Sequence, residues 1–189
     1  MFDSNEEALE TLTKAIEKAG ETPGERVVIS LDVAASEFCQ NGRYRLALEN
    51  RDMDAGGMID LLGRWIDSYP IVSIEDPISE DDPAGMAEFT RRFGDRLQII
   101  GDDYLVTNAN LVREAAAQGA CNSVLIKVNQ AGTITESVDT YRAAQSAGYR
   151  SVVSARSGET EDVTISHLAT GLGAGQLKVG SFTRSERMA

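Results

Sequence analysis

The chain has 189 residues, enough for one domain with a sizeable core, and its 18 Lys and Arg against 30 Asp and Glu give a formal charge of −12. That charge argues against nucleic acid or an anionic membrane as partner, so any anionic ligand must be small and locally held. Cys39 and Cys121 lie far apart without C-x-x-C spacing and read as reduced thiols; no apolar run approaches the ~18 residues of a membrane span, and the acidic start from Met1 to Glu7 is unlike a signal peptide, so a reducing, cytoplasmic location is expected.

Ser4 followed by Glu7 forms a capping box ahead of Leu9, Leu12, Ile16 and Ala19, which predicts an amphipathic helix over 4–19 that Gly20 ends. The run Val27-Val28-Ile29-Ser30-Leu31 is short, β-branched and apolar on both parities, as a strand covered on both faces should be. Residues 41–50 read as an excursion, a small extended ribbon, before a helix over 58–69 that Pro70 closes. The pattern then repeats, with strands over 71–77, 97–103, 123–129, 151–157 and 176–181 and helices around 83–93, 108–118, 133–147 and 160–171. Single helices between short buried strands predict parallel pairing with right-handed crossovers, in a doubly wound sheet or a barrel. Six strands are fewer than a closed (β/α)8 barrel holds, so the sheet is open or the barrel partial.

In such sheets ligands collect beyond the carboxyl ends of the strands. The residues there are Asp32, Glu75 with Asp76, Asp102 with Asp103, Lys127, Arg156 with Ser157, and Lys178. Each acid alone also reads as a solvated loop acid or a helix cap, but three at successive strand ends suit Mg²⁺, which prefers hard oxygen ligands and takes others from a substrate. His167, the single histidine, falls mid-helix and reads as a surface or packing residue, which disfavours zinc. Lys127 lies among apolar neighbours and reads either as a general base, its charged form disfavoured by a nearby cation, or as a lysine paired with a carboxylate for stability alone. Arg156, Ser157 and a helix N-terminus behind Gly158 fit a phosphate, and Lys178 fits a ligand carboxylate.

The stretches LDVAASEF, SIEDP, GDDYLVTN, LIKVNQAGT, SARSGETED and GSFTRSER, in that order, resemble the C-terminal barrel domain of the enolases, almost without a gap over residues 4–189. The resemblance implies an α/β fold, a partial (β/α) TIM-type barrel of about six parallel strands forming one domain over residues 1–189. It also implies the glycolytic dehydration of 2-phosphoglycerate to phosphoenolpyruvate. Asp32, Glu75 and Asp102 then match the Mg²⁺ ligands, and Lys127 the base that removes the C2 proton. Arg156 and Ser157 match the phosphate contacts, and Lys178 the lysine facing the carboxylate.

Two departures shape the expectation. Ala155 stands where enolases read histidine, and in the family the general acid, the first barrel strands and an N-terminal domain lie upstream of the matching stretch. The chain is therefore expected to be a truncated barrel with open edges that associates with a second copy or with a complementary N-terminal chain. Three readings follow: an enolase lyase impaired or completed by the missing part, a non-catalytic pseudoenzyme that binds Mg²⁺ and a phospho-anion, and an interaction module that docks on another chain.

Overall fold

Strand and helix alternate along the computed structural model as the sequence predicts, over the residues it describes, 2–156 and 161–180. The chain divides into two compact units, Met1–Ile99 and Ile100–Ala189, and the division falls inside one strand.

The first unit opens with α1, Asn5–Lys18, where the Ser4 hydroxyl accepts from the Glu7 N–H at 3.1 Å, the predicted cap. Its buried stripe includes Leu9 and Ile16. The strand β1 is Ile29–Asp32, two residues later than expected. Val27 and Val28 are each 39% exposed, and β1 itself alternates rather than being buried on both faces. The expectation failed because an apolar run reports strand preference, whereas cover on both faces depends on neighbours, and β1 stands first in the sheet order. A 3-10 turn, Ala35–Phe38, leads into an antiparallel ribbon of β2 (Cys39–Gln40), β3 (Arg43–Leu46) and β4 (Arg51–Met53), the excursion read from the sequence. The helix α2, Ala55–Ser68, starts three residues before Met58, because the Asp54 carboxylate accepts from the Gly57 N–H at 2.8 Å and so carries the helix through Gly56 and Gly57. The strand β5, Ile71–Glu75, and α3, Pro83–Phe93, complete the unit.

Tyr44 braces this unit. Its side chain is 1% exposed, and its hydroxyl oxygen accepts from the Ser79 N–H at 3.0 Å, which ties the ribbon to the loop that follows β5. Burial pushes the Tyr44 phenol up to about 12, with the Ser79 N–H opposing the shift in part.

The division between units lies within β6, Gln98–Gly101. The second unit continues with α4 (Ala109–Gln118), β7 (Ser123–Lys127), α5 (Val128–Ala131), α6 (Ile134–Ser146), β8 (Arg150–Ser154), α7 (Thr164–Leu172) and β9 (Leu177–Lys178). Here β7 stops two residues before its expected end and turns directly into the one-turn α5. The last helix begins at Thr164 rather than near 160, and the Ser157 and Gly158 of the expected phosphate turn fall in residues 157–160, outside the described residues. The sheet order is β1-β5-β6-β7-β8-β9, with parallel pairing of β1 to β5, β6 to β7, β7 to β8 and β8 to β9. The fold class is therefore α/β, with six parallel strands alternating with helices as in a partial (β/α) barrel. Among the described residues no helix is long and apolar enough to cross a membrane.

Replacing Tyr44 by Phe strands the buried Ser79 N–H and is expected to lower the unfolding free energy by about 1–3 kcal/mol in urea titrations at neutral pH. Because the folded phenol titrates near 12 rather than at the ordinary 10.0, its contribution is fully present below the lower value and is lost as pH rises through the upper one. The gap between wild type and Tyr44→Phe should narrow across that alkaline window.

Candidate functional site

Period two builds the strand ends of the second unit. Ile100, Leu125 and Val152 form one buried apolar cluster. Two residues further along each strand the same face carries Asp102, Lys127 and Ser154, so a polar layer lies directly beyond an apolar one. The register places Lys127 opposite Ser154, and Ser154 opposite Lys178. On the other face Val153 packs with Ile165 and Ala169 of α7.

Asp102 and Lys127 are 7% and 8% exposed. The Lys127 ammonium donates to Asp102 Oδ2 in a short ion pair, and Gln130 Nε2 donates to Oδ1 at 3.0 Å. The sequence left open whether Lys127 would meet a carboxylate, and it does. Each carboxylate oxygen has a second lone pair, so these two contacts leave Asp102 chemically able to take a hard cation as well. Gln130, which the sequence reading passed over, follows Lys127 by three positions on α5. It reaches back because α5 is one helical turn, closed by Gly132 at φ 102, a conformation that favours glycine.

In the first unit the register places Asp32 directly across from Glu75 at the ends of β1 and β5, so both side chains leave the same face. Glu75 is 3% exposed, Asp76 is also buried, and Asp32 is exposed. The chain leaves these strands through residues in the left-handed region, Ala34 at φ 46 and Asp76 at φ 41. Val33 donates its N–H to the Glu75 carbonyl at 3.0 Å and Ala35 to that of Asp76 at 3.1 Å, which holds the two ends together past the strands. Donors of this kind, all carboxylate oxygens, fit Mg²⁺ in hardness, and a carboxylate as buried as Glu75 requires a cation or hydrogen-bond donors against it.

The basic residues are more open. Arg156 is exposed and lies 3.7 Å from the Asp103 carboxylate, a surface contact of small energetic weight. Lys178 is exposed on β9, and Ser157 lies outside the described residues. At the start of α7 the Asp162 carboxylate accepts from the Thr164 N–H at 2.8 Å. Ala155 is half-buried and packs against the Val153, Ile165 and Ala169 cluster. His167 is exposed on α7, as expected.

The whole chain, residues 1–189, matches the family described as the enolase C-terminal TIM barrel domain. Enolase 1 of Methylococcus capsulatus is 50% identical over 189 residues, covering 100% of this chain and 45% of that protein. Enolase 1 of Desulfitobacterium hafniense is 51% identical over 190 residues, covering 100% of this chain and 44% of that protein. The chain thus spans less than half the length of the curated relatives it matches.

The ion pair gives a direct stability test. Lys127→Met leaves a buried carboxylate without its cation and is expected to cost about 3–5 kcal/mol in chemical denaturation. Removing both charges with Asp102→Leu and Lys127→Met should cost less than the two single changes added together, because neither charge is then left alone.

Proposed function

The chain belongs to the enolase family through its C-terminal TIM barrel domain, and from that premise we propose that residues 1–189 form a partial barrel domain carrying the base and cation ligands of a phosphopyruvate hydratase. The observation that carries this reading is the buried pair of Lys127 and Asp102 at the ends of neighbouring strands, an amine and a hard-oxygen ligand fixed in contact. Asp32, Glu75 and Asp102 are the proposed Mg²⁺ ligands, Lys127 the base, Arg156 and Ser157 the phosphate contacts, and Lys178 the carboxylate contact. The substrate is 2-phosphoglycerate, the product phosphoenolpyruvate, and the setting the glycolysis of the cytoplasm.

The residues divide the work. Arg156 offers a planar fork of donors to phosphate oxygens, and Lys178 a point charge to the substrate carboxylate. Lys127, as free amine, takes the proton from C2, and the buried surroundings of its side chain exclude water from that transfer. Mg²⁺ held by the acids would supply positive charge that stabilises the negative charge developing on the substrate carboxylate. The partner in this reading is a second copy of the chain or a complementary N-terminal chain, either of which would cover the end strands β1 and β9 of the sheet.

Two measurements test the reading. Calorimetric titration of Mg²⁺ should show a site that Asp102→Asn weakens beyond the ~10–100-fold typical of an outer-shell change; an unchanged isotherm removes Asp102 from the ligand set. With 2-phosphoglycerate and Mg²⁺ in D2O, deuterium should enter C2, and Lys127→Ala should slow that exchange by ~10²–10⁴-fold. Exchange that persists in the variant would assign the base elsewhere.

A further inference from the structure

We propose that Thr107 and Gln130 are positioning residues, linked in a closed hydrogen-bond circuit that orients the Asp102 carboxylate and the Lys127 amine; the inference rests on the reading of those two groups as cation ligand and base. The circuit runs through three segments of the second unit: the loop after β6, the end of β7 and α5.

The Thr107 hydroxyl oxygen lies 2.7 Å from Gln130 Oε1, 2.9 Å from the Lys127 backbone nitrogen and 3.4 Å from the Leu125 carbonyl oxygen. The Lys127 N–H can only donate, so the hydroxyl accepts there, and its single proton goes to the nearest acceptor, Gln130 Oε1. That choice fixes the amide. With Oε1 engaged by Thr107, the Gln130 NH₂ group faces the acids, 3.0 Å from Asp102 Oδ1 and 3.5 Å from Asp103 Oδ1. Asp102 Oδ2 then meets the Lys127 ammonium, and the circuit closes on the residue where it began. A flipped Gln130 would set carbonyl oxygen against carboxylate, so the Thr107 proton is what keeps Asp102 presenting one oxygen to the amide and the other to the amine.

The backbone shows that this arrangement is held against a cost. Val106 and Thr107 occupy the left-handed region at φ 42 and 53, although both are β-branched. Such a backbone is strained, and strain of this kind persists only where the surroundings over-determine it. They do so here. Thr107 is 2% exposed, its carbonyl accepts from the Thr140 hydroxyl at 2.8 Å, and the Val106 N–H donates to the Asp102 carbonyl at 2.7 Å. The strained pair thus places the Thr107 hydroxyl between the Lys127 backbone and the Gln130 amide.

The test uses the full chain with Thr107→Ser, which keeps the hydroxyl, Thr107→Val, which keeps the shape without it, Gln130→Met, and the Thr107→Val, Gln130→Met double variant. In metal-free, ¹⁵N-labelled protein the Gln130 side-chain amide should exchange slowly with solvent in wild type and Thr107→Ser, and at the rate of an exposed glutamine in Thr107→Val. In Mg²⁺ calorimetry Thr107→Val and Gln130→Met should each lose ~10–100-fold in affinity, Thr107→Ser should stay within about twofold, and the double variant should be no weaker than the worse single, because the two act in series. An unchanged Gln130 amide in Thr107→Val, or single losses that multiply in the double variant, overturns the circuit. Should Thr107→Val not fold, Gln130→Met set against Thr107→Ser decides the affinity arm, where an unchanged affinity in Gln130→Met has the same overturning force. A wild-type chain that binds no Mg²⁺ overturns the cation reading instead, and the amide exchange then decides the circuit alone.

Discussion

Burying the Lys127 ammonium at the end of a strand in which every residue is buried requires an anion in contact, and much of the second unit is arranged around meeting that requirement. Asp102 has to lie one strand away, on the same face and one step beyond the apolar layer, and the period-two alternation of β6 and β7 delivers it there. The chain must also stop being a strand at Lys127. A further extended residue would carry the backbone past the acids, whereas the immediate turn into α5 brings Gln130 back over them. An apolar layer of Ile100, Leu125 and Val152 below and hydrogen-bond donors around leave the pair well defined, in keeping with the rule that buried charges are stable only when their remaining valences are met.

The first unit solves a similar problem by other means. Its acids at the ends of β1 and β5 are brought side by side by strand register, and left-handed residues after each strand turn the backbone while it goes on pairing. Tyr44 then fixes the loop beyond β5 from outside the parallel sheet, through a ribbon whose sequence shows no charge or motif that announces such a role. The excursion between β1 and α2 is therefore part of what holds the segment following Glu75, not a decoration of it.

Alternation of apolar runs with helical periodicity made the strand-helix order legible, because burial of a parallel strand leaves a composition that little else produces. The strand-end acids and Lys127 were legible for the same reason: a charge interrupting an apolar run has few explanations. What the sequence did not disclose is what depends on partners distant in sequence. Val27 and Val28 look like a covered strand and are exposed, because nothing in the run says which strands flank it. The early end of β7 was hidden by Val128, which suits a strand as well as a helix start. Thr107 and Gln130 carry no signal alone; a glutamine three positions past a strand-end lysine and just before Ala131-Gly132 is a hint of a helical turn, but its partner lies 23 residues away.

The distribution of charge along the chain differs between the two units, on a protein of net charge −12. At the strand ends of the first unit stand Asp32, Glu75 and Asp76, all negative. At those of the second, Asp102 pairs with Lys127 and Asp103 lies beside Arg156, and Lys178 adds a further positive charge. Hard carboxylate oxygens at the strand ends of the first unit suit a divalent cation, and the cationic side chains at those of the second suit an anionic group. The overall negative field limits an anion held by the second unit to one small enough to sit against these few cationic groups.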